Sequence, residues 1–159
     1  MDKLTLERIK TAHPKLRDEL AAQYEHCNQK LLGKYVRLRF AYVFRTAQEQ
    51  RELFLKRPKV TNADAGQSIH NYGLAFDIVL LYDKDKNGTF ETASWEQNED
   101  WKIVVDYFKS KGWEWGGDWK RFVDKPHFQK DFGFDWKTLK SRVDKGITII
   151  DNGIIYPKI

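Results

Sequence analysis

The chain has 159 residues, with 28 lysines and arginines against 23 aspartates and glutamates, a net charge of +5 and a hydrophobic fraction of 41%. That length suits one domain around one core, that composition excludes a disordered chain, and no apolar run approaches the roughly 20 residues needed to span a membrane. A single cysteine, Cys27, excludes an internal disulfide and a cysteine-rich metal site, while the basic balance favours an anionic partner.

From the N-terminus, Leu4 to Leu32 reads as helical in two pieces joined at His13-Pro14, with Pro14 tolerated in the first turn of the second. Leu16, Leu20 and Tyr24 give that piece its apolar stripe, and Gly33 is expected to stop it as a C-cap. Val36 to Phe44 alternates as a strand does, with Val36, Leu38 and Phe40 on one face and Arg37 and Arg39 on the other. Thr46 with Glu49 spells a capping box for a helix to about Lys56, which puts Arg45 at a strand-to-helix junction. Pro58 to Gln67 is a polar loop. Leu74 to Tyr82 is an apolar strand interrupted by Asp77, and Asp83 to Glu91 is a turn. Asn98 to Lys111 carries the clearest helical stripe, Trp101, Val104, Val105 and Phe108, with Gly112 as its stop. Trp113 to Trp115 and Pro126 to Gln129 are short strand candidates, Trp136 to Lys145 a short helix, and Ile147 to Ile155 a hairpin around Asp151-Asn152-Gly153. The fold class is therefore α+β: a small, mostly antiparallel sheet flanked by helices. Residues 1–159 are expected to form a single domain, with the N-terminal helices of 4–32 packed on it and no appended module.

Chemistry concentrates in two stretches, SIHNYGLAFD (Ser68 to Asp77) and DKPH (Asp124 to His127). A carboxylate inside a strand as apolar as LAFDIVLL is costly to bury unpaired, so Asp77 should face a cation. His70 lies across a tight turn from it, and His127 opens a strand behind Pro126. Two histidines and a carboxylate with a fourth position open are the ligand set of a catalytic zinc, and Asp124 could serve as its base. On spacing alone a packed histidine and a plain DKPH turn remain compatible with the same residues. His13 and His26 have no comparable surroundings and are set aside as ligands. Asp83, Asp85, Asn87 and Gly88 occupy the first, third, fifth and sixth positions of a calcium loop, but the twelfth is Ser94, so a solvated acidic turn competes with calcium there.

SIHNYGLAFD fits S-x-H-x-x-G-x-A-x-D, and EWGGDWKRFVDKPHFQ fits E-W-G-G-x-W followed by D-x-P-H-F. These paired motifs resemble the zinc peptidases that cut peptidoglycan stem peptides, which include D-alanyl-D-alanine carboxypeptidases and the L-alanyl-D-glutamate peptidases of phage endolysins. The similarity runs from the N-terminal helices, through FRTAQEQ, to about Phe134. It implies a fold like that of D-alanyl-D-alanine carboxypeptidases and hedgehog domains, with the zinc at the sheet. It implies His70, Asp77 and His127 as zinc ligands, Asp124 as catalytic base, and Arg45 as the residue that holds the substrate and steadies the oxyanion. Ser68 and Gln50 match positions that hydrogen-bond substrate or ligands, and Trp115 is a candidate wall of the cleft.

An aspartate as base leans toward the L-alanyl-D-glutamate branch. The expected function is that of a phage or prophage endolysin, with a D-alanyl-D-alanine carboxypeptidase as the alternative and a non-catalytic wall-binding module as the reading of another class. The partner is the peptidoglycan stem peptide; neither nucleic acid nor membrane insertion is expected, and the protein is expected to be monomeric. MDKLTLERIK has no apolar signal core, so the protein is expected to be made in the cytoplasm and to reach the wall after release.

Overall fold

Helices α1 (Lys3–Ile9) and α2 (Pro14–His26) open the chain in the computed structural model, which describes residues 1–159. Asp2 caps α1, and the His13 imidazole caps α2 by accepting from the Lys15 N–H, with Pro14 in the first turn. The α2 helix does not stop on a left-handed Gly33. It widens into one π turn, Cys27–Leu31, and the Leu32 N–H donates to the Cys27 carbonyl at 3.0 Å. That bond occupies a carbonyl that a glycine cap would otherwise have to satisfy. Leu32 then leaves in extended conformation toward strand β1 (Val36–Tyr42).

The Thr46–Glu49 capping box forms as the sequence demands and starts α3 (Ala47–Leu55). After a loop comes a single 3₁₀ turn, Ile69–Tyr72, and then the central strand β2 (Ala75–Tyr82). The remaining elements are β3 (Thr92–Ser94), α4 (Glu99–Ser110), β4 (Glu114–Trp115), β5 (His127–Gln129), α5 (Trp136–Asp144), and the hairpin β6 (Thr148–Asp151) and β7 (Ile154–Pro157). Asn152 and Gly153 both have positive φ, the signature of the type I′ turn that matches strand twist. β3 is the one strand with no signal in the sequence; three residues are too few to show an alternation.

The main sheet is antiparallel throughout and runs β1-β2-β5-β4. β5 and β3 share one edge of β2, β5 along Ala75–Asp77 and β3 along Leu80–Tyr82. One face of β2, carrying Phe76, Ile78 and Leu80, joins Val36, Leu38 and Phe40 of β1 in a single cluster of 23 buried residues, roofed by α2 and the Trp101, Val104, Val105 and Phe108 stripe of α4. Phe76 is its centre, with Phe40, Phe108, Trp113 and Phe128 rings 4.4–5.1 Å away. A phenylalanine so enclosed contributes about 3–5 kcal/mol relative to alanine. The other face of β2 carries Ala75, Asp77, Val79 and Leu81. In β1 a bulge between Phe40 and Tyr42 shifts the register, so that Tyr42 rather than Ala41 stands opposite Asp77. Bulges re-aim side chains in this way beside functional sites. Here it brings a tyrosine onto the face of Asp77.

Candidate metal centre and cleft

Three elements converge on Asp77. In the antiparallel register of β2 and β5, Asp77 pairs with His127, so both side chains project from the same face. His70 arrives on the 3₁₀ turn. Ser68 caps that turn, its hydroxyl accepting from the His70 N–H at 3.2 Å, while the Asn71 side chain returns to the Ser68 N–H at 3.0 Å. Gly73 ends the turn at φ +70, where a Cβ would stand 2.6 Å from the His13 backbone nitrogen. Only glycine fits both that conformation and that approach.

One donor atom each from His70, Asp77 and His127 lies within 4.8 Å of the others, an arrangement that could hold a metal ion. The contacts behind the two imidazoles fit this use. His70 Nδ1 is 2.8 Å from the Val43 carbonyl, which can only accept, so Nδ1 carries the proton and Nε2 faces Asp77 Oδ1 at 3.2 Å. His127 is oriented the other way round: Nδ1 faces Asp77 Oδ1 at 3.1 Å, and Nε2 is 2.8 Å from Gln129 Oε1. The Gln129 amide cannot be reversed, because its NH₂ donates to Asp131 at 3.1 Å. Each histidine thus has its outer nitrogen held by an acceptor and its inner nitrogen directed at one point, as metal-binding histidines do.

Burial opposes the charge on Asp77, yet the two imidazoles outweigh it and hold this carboxyl far below the usual range. His127 responds in the opposite sense: burial acts to strip its proton, and Asp77 more than restores it, raising its pKa. Asp124 sits at the exposed rim, its N–H bonded to the Gly116 carbonyl at 3.0 Å and its own carbonyl to the His127 N–H at 3.2 Å. Enclosure of its carboxyl, followed by the negative charge of Asp77, pushes it above the usual carboxylate range. Gly116 makes the placement possible: a Cβ there would overlap the Asp124 carbonyl oxygen.

A cleft of about 950 Å³ opens over these groups, within the range of ligand pockets. Arg45 lines it from the β1–α3 junction, its guanidinium 2.9 Å from Gln50 Oε1 and 5.0 Å from the Tyr42 ring. Ser68 also lines the cleft, but its hydroxyl is engaged by the turn that carries His70. Gln50 does not reach the cleft. It is fully buried and bonded to Arg45 and the Ala63 carbonyl, and so fixes the arginine. Trp115 does not form the wall either; its Nε1 donates to the Lys125 carbonyl at 2.7 Å, and its ring fills the space beside Gly117. The wall is Trp119, whose ring lies 5.2 Å from that of His127. The turn after β4 reverses the chain, so the fourth residue beyond Trp115 takes the position expected of Trp115 itself.

Two further contributors escaped the sequence reading. Gln129 was legible in principle, since i and i+2 share a face in a strand. Tyr42 was not, because its orientation depends on the bulge. Asp83, Asp85 and Asn87 lie beyond the far end of β2, about 20 Å along the strand from Asp77. Asp83 accepts there from the N–H groups of Asn87 and Gly88, closing the turn on its own backbone.

Residues 61–130 match the sequence profile of the family described as D-alanyl-D-alanine carboxypeptidase, and this segment contains His70, Asp77, Asp124 and His127. The chain is 42% identical over 102 residues to the peptidoglycan L-alanyl-D-glutamate endopeptidase CwlK of Bacillus subtilis (strain 168), a match covering 54% of this chain and 56% of that protein. It thus spans about half the length of that relative. Its fold is similar to that of the L-Ala D-Glu endopeptidase ChiX of Serratia marcescens, with a TM-score of 0.57 and 24% identity over 83% of this chain and 90% of that one. Motif, relative and fold thus all resemble the D-alanyl-D-alanine carboxypeptidase / L-alanyl-D-glutamate peptidase family.

Proposed function

We propose that this protein is a zinc-dependent peptidase that hydrolyses the L-alanyl-D-glutamate amide of the peptidoglycan stem peptide, in the role of a phage or prophage endolysin. The observation that carries the reading is the set of two histidines with their outer nitrogens held and their inner nitrogens aimed at one half-buried carboxylate. His70 through Nε2, Asp77 through its carboxylate and His127 through Nδ1 would hold the ion, a two-nitrogen, one-oxygen donor set suited to zinc. Zinc in such a set supplies Lewis acidity, which acidifies water and polarises a carbonyl.

The chain's own groups supply the rest. Asp124, on the cleft rim, takes a proton from the attacking water as the new C–O bond forms and returns it to the amine nitrogen as the C–N bond breaks. Arg45 offers a permanent cation with forked donors, held by Gln50, to the oxygen on which negative charge develops. The CwlK relative supports the choice of bond, and the net charge of +5 favours adsorption to an anionic envelope.

Metal analysis and digestion of purified muropeptides with the parent and an Asp124→Ala variant test the reading. One zinc per chain is expected in both proteins, with cleavage between L-alanine and D-glutamate in the parent alone. A metal-free parent would end the metallopeptidase reading. Release of terminal D-alanine with the L-Ala–D-Glu bond intact would transfer the assignment to a carboxypeptidase.

A further inference from the structure

Arg45 is tied to the candidate metal centre by its backbone. Its N–H donates to the His70 carbonyl at 3.0 Å, and its carbonyl accepts from the Asn71 side-chain amide at 2.9 Å. Two residues earlier, the Val43 carbonyl accepts from His70 Nδ1 at 2.8 Å. Residues 43–45 are thus stitched to the turn that carries His70, and the root of the arginine keeps its place relative to that ligand. The side chain is held less fully. Its guanidinium enters none of the salt bridges of the chain, and Nη1 donates to Gln50 Oε1 at 2.9 Å. One hydrogen bond through one nitrogen fixes the distance of a planar fork and leaves its plane free to turn.

A second contact stands where it can stop that turning. Arg45 Cζ lies 5.0 Å from the centroid of the Tyr42 ring, inside the roughly 6 Å over which a cation is drawn to an aromatic face. The contact depends on the bulge between Phe40 and Tyr42. In an unbroken strand Tyr42 would follow Phe40 onto the core face, since residues two apart share a side. The bulge sends it to the other face, opposite Asp77, where it lines the cleft together with Arg45 and is 49% exposed. A ring so exposed adds little to the core, and the charged group it meets is the arginine. A guanidinium suits that meeting, because its charge is spread over a plane and is weakly hydrated.

We infer that Tyr42 is a positioning residue: its ring packs against the Arg45 guanidinium and, with Gln50, fixes the plane in which the fork meets the oxygen of the scissile amide. The inference rests on the proposed hydrolysis of the stem peptide. The test measures kcat, KM and zinc content for the parent, Tyr42→Leu, Tyr42→Phe, Arg45→Ala and the double variant Tyr42→Leu/Arg45→Ala, with a stem peptide as substrate. Tyr42→Leu should lower kcat by about two- to fivefold, the range of one cation–π contact at a half-exposed site, with KM and zinc content as in the parent. Tyr42→Phe, which keeps the ring, should recover that loss. In the Arg45→Ala background, Tyr42→Leu should have no further effect, because its action runs through the arginine. An equal loss in both backgrounds, a rise in KM alone, or a loss of zinc overturns the inference, since each gives the ring another task. A Tyr42→Phe variant as impaired as Tyr42→Leu overturns it in favour of the hydroxyl. A Tyr42→Leu variant as active as the parent overturns it and leaves the hydrolase reading standing. A parent that cleaves no stem peptide overturns the hydrolase reading and the positioning role with it.

Discussion

Asp77 and His127 are direct partners across the β2–β5 ladder, with His127 Nδ1 3.1 Å from Asp77 Oδ1. Fifty residues separate them in sequence, so the pairing of two short strand segments positions two of the three residues that could hold a metal ion. The contacts that hold His127, Asp124 and Arg45 in place therefore control the site.

Gln129 is the first. It accepts from His127 Nε2 and is itself anchored by Asp131. Gln129→Leu should keep the fold and weaken metal binding by about 10–100-fold, the usual effect of losing an outer partner of a ligating histidine. Competition with a chelator of known affinity measures this, and an unchanged metal affinity would show that the Gln129 contact does not orient the ring.

Gly116 is the second. Its backbone carbonyl receives the Asp124 N–H, and a side chain there would collide with the Asp124 carbonyl. Gly116→Ala should displace the proposed base while leaving the three ligands in place. Zinc content is expected to stay at one per chain while kcat falls by about 10²-fold, the scale of a misplacement near 1 Å. Loss of metal along with activity would instead make Gly116 part of the scaffold of the ligands.

Arg45 and Gln50 form the third. Arg45→Ala should lower kcat/KM by about 10²–10³-fold, as loss of an oxyanion donor does. Gln50→Leu, which leaves the guanidinium present but unanchored from Gln50 Oε1, should lower it by a smaller factor, about tenfold. Equal losses in the two variants would indicate that the buried glutamine matters for packing rather than for aiming the arginine.

His13 links the N-terminal helices to the site without entering it. Its Nδ1 accepts from the Lys15 N–H, its Nε2 donates to the Pro157 carbonyl at 2.7 Å, and its backbone N–H donates to the Gly73 carbonyl at 2.9 Å. Burial, aided by Lys15 and Arg17, lowers its pKa despite the Pro157 bond. Because the folded pKa lies below the unfolded value of about 6.5, the unfolded chain binds the proton first; this contribution to stability is complete above that pH and is lost as pH falls toward the folded pKa. His13→Asn keeps a cap for α2 and loses the Pro157 bond, so it should be less stable by about 1 kcal/mol at pH 8. That gap should narrow between pH 7 and 5 in urea unfolding. A gap that stays constant with pH would mean that His13 does not titrate there.

Most of the elements, and the two stretches that meet at the candidate site, can be read from local residue patterns. The four-residue spacing of α2, the alternation of β1, the capping box at Thr46 and the Asn152-Gly153 turn are local signals, and local backbone sterics and hydrogen bonding suffice to realise them. His70 and Asp77 were legible for the same reason: one short turn joins them, and a carboxylate in an apolar strand needs a partner. Tertiary structure decided what local signals cannot carry. Cross-strand register set His127 beside Asp77. A bulge turned Tyr42 onto their face, the chain reversal after β4 gave the cleft wall to Trp119 instead of Trp115, and the packing of α3 buried Gln50 behind Arg45. Each of these depends on segments far apart in the chain meeting at a fixed register, which residue spacing alone does not encode.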